Sequence, residues 1–309
     1  MQEVHAQDSG RRPDVLEGRW QLVLCLAHHP SETVWRALDL VEGGSALVRI
    51  ANDDDARTRP VDVLHLRILR SSPHPNLETP IAWREREGAD YIVMPWLGDA
   101  TLGDVLGAAW GLPDERALQI LIGASRGLSA LHRLHLVHRN VAPERLWLTG
   151  GGGSVVRVAG AVRFPCGTAT QHPAYLAPEQ VLGDSCSPVT DVYALGAVLY
   201  RTLSGASFAV EADILPELAH VRTAPPSLEG KTDIRLARLV AWMLRKDPKA
   251  RPTMPEVGAV AMAIANDVPV DLPAVPSFEI YSPQSSEAET KLGALYERAD
   301  TVVPHQYVA

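Results

Sequence analysis

Apolar and polar positions alternate along the first hundred residues of the chain and then change to a helical period. Residues 18–26 and 33–39 carry β-branched and aromatic side chains at strand spacing, and residues 45–50 form a third strand entered through Gly43 and Gly44. The stretch 61–69 has a helical pattern that is stopped by Pro73 and Pro75. Two more strands, at 79–84 and 91–94, flank the polar turn 85–90. Farther on, Ala117, Ile120, Leu121, Ala124, Leu128 and Leu131 recur at helical spacing, with Asp114 after Pro113 as the start signal, so a helix is predicted over 114–134. Short strands at 145–148 and 155–159 surround the glycine run 150–153. That run joins strand to strand and reads as a hairpin tip rather than a phosphate cradle. Further helices are expected at 189–204, 234–244 and 254–265. Beyond Pro269 the chain is proline-rich and polar. It is expected to be a largely disordered tail with one short amphipathic segment at 288–298.

A strand-rich part followed by a helical part makes an α+β protein, and 309 residues suffice for a large core. The balance of 29 basic against 37 acidic residues, a net charge of −8, argues against a general binder of nucleic acid or of an anionic membrane. The acidic run 53–55 reads as a solvated loop. Cys25, Cys166 and Cys186 lie far apart without paired spacing, which suits a reduced compartment and free thiols. Residues 1–14 lack the apolar centre of a signal peptide, and the apolar stretch 192–203 is broken by Tyr193, Gly196 and Arg201, short of the roughly 20 apolar residues that span a bilayer. A cytoplasmic location without a membrane span is expected.

One set of ordered motifs narrows the class. Leu136-Val137-His138-Arg139-Asn140-Val141-Ala142-Pro143-Glu144-Arg145-Leu146 follows the pattern H-R-D-L-x-P-x-N, and Pro173-Ala174-Tyr175-Leu176-Ala177-Pro178-Glu179 ends in A-P-E. Asp191-Val192-Tyr193-Ala194-Leu195-Gly196, then Asp247-Pro248 with Arg251-Pro252, complete the series, and His74-Pro75-Asn76 precedes it. On these residues the chain resembles the bacterial Ser/Thr protein kinases, from about residue 18 to 267. The resemblance implies a two-lobed fold with a small antiparallel-sheet N-lobe (18–94) carrying one helix, a hinge (95–98) and a larger helical C-lobe (99–267), between polar tails at 1–17 and 268–309.

The resemblance also assigns roles. It implies that His138 packs in the core, that Glu179 pairs with Arg251, and that Asp191 accepts hydrogen bonds from the catalytic-loop backbone. Buried charges of this kind are tolerated only when paired. The positions that handle phosphate, metal and the acceptor proton differ from the family pattern. Ala27, His29 and Glu32 stand where glycines let backbone amides approach phosphate. Arg49 replaces the strand lysine, and its expected partner falls on His65, so that pairing is read as lost. Asn140 replaces the catalytic aspartate, Ala142 the loop lysine and Arg145 the metal-binding asparagine; the D-F-G region reads Val158-Ala159-Gly160-Ala161-Val162. Gln171 and His172 replace a Gly-Thr pair.

Smaller signals have plainer readings. His132, His135 and His138 have metal-like spacing, but two of them match packing histidines of the family. His28 and His29 suit an exposed turn. Met94, Trp96 and Leu97 match the hinge, where a residual adenine slot lacks the donor that Pro95 removes. Arg139 matches a residue that contacts an activation-loop phosphate, with Thr168 and Thr170 as candidates. Thr301, followed by Val302 and Val303, resembles a phosphorylation site read by phosphothreonine-binding modules.

The main expectation is therefore a degenerate kinase, a pseudokinase that is no enzyme, has lost Mg-ATP and binds no metal. It would act by binding another protein, an active kinase or a phosphothreonine-binding module. Three other readings stay open: a weakly active Ser/Thr kinase, a nucleotidyl transferase on the same fold, and a metal-independent nucleotide sensor.

Overall fold

A computed structural model describes residues 15–28, 32–51, 63–84, 91–98, 100–149, 155–159, 173–207, 220–221, 225, 227–274 and 280–302. They fall into two compact units, one drawn from residues 1–72 and 79–96, the other from 73–78, 97–161 and 168–309.

The first unit is a six-stranded antiparallel sheet with one helix. Its strands are β1 (Val15–Leu16), β2 (Trp20–His28), β3 (Glu32–Asp39), β4 (Ser45–Ala51), β5 (Ala82–Arg84) and β6 (Tyr91–Pro95), in the order β1-β2-β3-β4-β6-β5. Helix α1 (Val63–Ser71) separates β4 from β5 in sequence, buries Leu66 and Leu69, and leaves His65 exposed. Alternation puts Trp20, Leu22, Ala37, Ala46, Val48, Tyr91 and Val93 on one face, where they form the core of this unit. The β3–β4 turn is fixed by Asp39, whose carboxylate accepts the Val41 and Glu42 N–H groups and a two-point contact from Arg19 at 2.9 and 2.7 Å. Arg19 holds that carboxyl down at about 2.

The second unit is helical, with one two-stranded ribbon. Helix α2 (Leu102–Ala108) starts at a reciprocal cap in which Thr101 Oγ1 accepts the Asp104 N–H and Asp104 accepts the Thr101 N–H. Helix α3 (Asp114–Arg133) buries its apolar stripe and leads into the ribbon β7 (Leu146–Thr149) and β8 (Val155–Val158). The short helix α4 (Pro178–Leu182) and α5 (Pro188–Ser204) follow. Proline opens α5 at its first position and Gly205, at φ 86°, closes it. Helix α5 is buried nearly all round, its polar Thr190, Asp191 and Thr202 included, and packs against α3, α6 (Ile234–Met243) and α7 (Met254–Ala265).

Glycines decide how closely α3 lies on its neighbours. A Cβ on Gly127 would collide with the backbone oxygen of Asn76 and come within 2.9 Å of Val158. Asn76 in turn donates from Nδ2 to Val156 O at 2.8 Å, so the 74–76 turn and β8 are stacked on this face of α3.

The expectation of a largely disordered tail fails for its second half. Helix α8 (Ser286–Val302) forms, and Tyr281, Ala288 and Leu295 are buried with Leu182 and Val221. The cause is local. Asp184, just after α4, accepts from Tyr281 Oη, Gln284 N and Ser285 Oγ at 2.8–2.9 Å, which fixes the start of the helix on an apolar surface. Thr301 lies in the last turn of α8, and its side chain is outside the described residues, as are the runs at 53–55 and 150–153. Among the described residues no helix is long and apolar enough to cross a membrane.

Gly127→Ala should lower unfolding stability by about 1–3 kcal/mol, because α3 cannot give way to the added methyl without a backbone shift. Urea unfolding followed by circular dichroism checks this; an unchanged midpoint would show that the two segments are not in close contact.

Candidate functional site

In the first unit the charged position on β4 is Arg49. It lies on the face opposite Val48 and is paired across the ladder with Val34. Glu32 is two residues before Val34, so it shares that face and stands diagonally from Arg49, within reach of a long side chain. Arg49 Nε and Nη2 donate to the Glu32 carboxylate at 3.0 and 2.5 Å, and both residues are buried. The pairing read as lost is therefore present with a different partner. The glutamate comes from the neighbouring strand, at one of the positions where the family has glycine. Two charges out of water need such a fork to hold them. Ala27 lies one residue before the end of β2, and His29 is outside the described residues. Met94 is buried opposite Leu47 on β6, and the Arg36 guanidinium lies 4.9 Å from the centre of the Trp96 ring.

In the second unit Asp191, fully buried near the start of α5, organises the 138–140 loop. One carboxylate oxygen accepts the His138 N–H and meets His132 Nε2, both at 2.8 Å; the other accepts the Arg139 N–H at 2.8 Å. Arg139 has φ 61°, a left-handed conformation costly for a residue with a side chain, and this bond holds it there. His138 is buried and works at both ends. Its Nδ1 accepts the Asn140 N–H at 3.2 Å, which leaves the proton on Nε2 to donate to Ala159 O at 2.8 Å. The Ala159 N–H donates to Arg145 O at 2.9 Å. Asn140, Ala142 and Ala159 are thus held within one buried loop-and-strand junction, with Arg145 half-buried at its edge. Leu97 is buried in this unit, whereas Gly160, Thr168, Thr170, Gln171 and His172 are outside the described residues.

A second anchor ties α4 to the end of the helical core. Arg251 donates two bonds to Glu179, at 2.7 and 2.8 Å, and three more to the carbonyls of Val189, Arg245 and Lys246. Thr190 Oγ1 adds a 2.8 Å bond to Glu179, and Gln180 Nε2 donates to Arg139 O at 2.9 Å, which joins this anchor to the 138–140 loop. The sequence reading did not foresee the polar group beneath it. Lys246 is buried and donates to Tyr193 Oη and His220 O, while burial, reinforced by Lys246, pushes His220 down to about 3. Only the basic run at 245–246 could have signalled it.

The three histidines with metal-like spacing do not converge: His132 is spent on Asp191, His138 on Ala159, and His135 is exposed at a positive φ of 58°. Among the described residues no three of His, Cys, Asp or Glu lie close enough to hold a metal ion.

Comparison with known proteins agrees with this framework. Residues 49–261 match the protein kinase domain, more than half of the chain. The chain belongs to the protein kinase family. Among its relatives are a Ser/Thr protein kinase, drp72, of Corynebacterium efficiens (28% identical over 257 residues, 78% of this chain and 49% of the relative) and the Ser/Thr kinase PknA of Corynebacterium glutamicum (25% over 271 residues, 82% and 57%). The Ser/Thr kinase PknB of Mycobacterium leprae is 28% identical over 286 residues, 85% of this chain and 46% of its own. The chain spans about half the length of these curated relatives.

Two expectations are corrected by this finding. The chain was expected to be no enzyme and to have lost Mg-ATP; its relatives are named as Ser/Thr protein kinases, and kinases work with ATP and magnesium. The physical weakness of those negatives is that each was read from residue identity at single positions. At Arg49 such a reading missed a carboxylate partner supplied from elsewhere.

Asp191→Asn would keep the size of the side chain but turn an NH₂ group toward a backbone donor. Each hydrogen bond to a charged group contributes about 1.5–3 kcal/mol, so the variant should lose about 3 kcal/mol in urea unfolding. A loss within experimental error would mean that the carboxylate does not hold the loop.

Proposed function

We propose that this protein is a Ser/Thr protein kinase that transfers phosphate from ATP slowly. The observation that carries this reading is the 138–140 loop, pinned by Asp191 at two backbone amides and by His138 at Ala159, in a chain whose relatives are Ser/Thr kinases. Phosphoryl transfer is mostly positioning and neutralisation of charge, so a rigid loop is the part hardest to replace.

The reading also says why the rate is low. Asn140 can orient an acceptor hydroxyl through its amide oxygen but cannot take the proton near neutral pH. Arg49 brings a cation to the position of the strand lysine, already engaged by Glu32. Arg145 places a guanidinium at a metal-ligand position, where it supplies fixed charge without ligating metal. When bound, magnesium would neutralise the phosphate oxygens. Of Asn140, Ala142, Arg145 and Ala159 only Asn140 offers a side-chain oxygen for it, so these residues fit the ion poorly and no step is assigned to it.

Radiolabelled transfer from ATP to a Ser/Thr protein substrate is expected to be slow but above background. Asn140→Asp should accelerate it by about 10²–10⁴, the usual contribution of a positioned base. No transfer by either form would overturn the proposal, and equal rates would remove position 140 from the chemistry.

A further inference from the structure

Away from the loop, a cavity of about 250 Å³ opens in the second unit between α3, α7 and the 74–76 turn. Gly258, which lines it from α7, lies tight against α3: a Cβ there would come within 2.9 Å of Ser125 Oγ. Arg126, Ser129 and Arg133 line it from α3, at positions i, i+3 and i+7 that share one face of the helix. His74 lines it from the turn and Met262 from α7.

No described carboxylate answers the charge on this wall. Arg19, Arg49, Arg84, Arg235 and Arg251 each meet a carboxylate. No carboxylate among the described residues pairs with Arg126 or Arg133; Arg126 reaches only the Met262 sulfur, at 3.7 Å. Both arginines are exposed and free to turn toward a ligand. His74 Nδ1 accepts the Asn76 N–H at 3.2 Å, so in the neutral ring Nε2 carries the proton and is a donor. Burial, with the nearby Arg133 and Arg126, lowers the pKa of His74.

We propose that this pocket is a binding site for a phosphate monoester, whose oxygens Arg126 and Arg133 hold. The two guanidinium groups match a dianion, and a phosphate group carries about −1.5 to −2 at neutral pH; a carboxylate would leave one of them unanswered. Planar forks suit tetrahedral phosphate oxygens, and the apolar wall around Met262 accommodates the carbon portion of the ester. The cavity is too small for a nucleic acid, and the net charge of −8 does not favour one. The phosphate could come from a small metabolite or from a phosphorylated Ser or Thr side chain, which present the same group.

Calorimetric titration of the whole chain with inorganic phosphate and with a phosphothreonine peptide, at chloride-matched ionic strength, tests the site. Saturable binding is expected, weakened roughly tenfold or more in the Arg126→Ala/Arg133→Ala double variant, as loss of charge-assisted contacts requires. Both side chains are exposed, so the variant should keep the melting temperature of the parent. Tighter binding of the peptide would identify a protein source, and equal binding of free phosphate a small-molecule one. No saturable binding of either probe at millimolar concentration, or binding that the double variant retains, would overturn the proposal.

Discussion

The 138–140 loop of the second unit depends on one buried carboxylate. Asp191 sits fully out of water near the start of α5, where a lone charge would be very costly, and it is tolerated because His138, Arg139 and His132 all turn donors toward it. That demand shapes the loop: it keeps Arg139 in a left-handed conformation, sets the direction of His138 and, through His138, fixes Ala159 just after β8. Glu179 and Arg251 repeat the same logic a few residues away, and Gln180 connects the two through the Arg139 carbonyl. A change at either charge would therefore disturb both.

The first unit solves the same problem differently. Arg49 on β4 is answered by Glu32 on β3, a partner that depends on the ladder placing Val34 opposite Arg49. In the proposed activity a guanidinium already bound to a carboxylate has less to offer a phosphate. It suits a slow enzyme better than a fast one.

Much of the fold was legible because it rests on periodicity. The alternation in β2 to β4 and the stripe of Ala117, Ile120, Leu121, Ala124 and Leu128 on α3 follow directly from which faces are buried. Helix α2 was missed although its Thr101–Asp104 cap was in plain sight, because its apolar stretch is short. Helix α8 was seen only as an amphipathic piece, since its stability comes from Asp184 and Leu182, about a hundred residues earlier in the chain, and from Val221, between them and the helix. For the site, the motifs gave the positions of His138, Asn140, Asp191, Glu179 and Arg251. Strand register, which chose Glu32 for Arg49, and helix packing, which placed Arg126 and Arg133 beside His74, are properties of the folded chain and leave no mark in one sequence.

The central claim is that the Asp191 carboxylate holds the 138–140 loop as rigidly as the core. Native-state amide hydrogen exchange of His138 and Arg139 measures this most directly. The account predicts that both amides exchange only through global unfolding, with the protection of the middle of α5. Exchange of either at rates typical of open loops, while α5 stays protected, would contradict it.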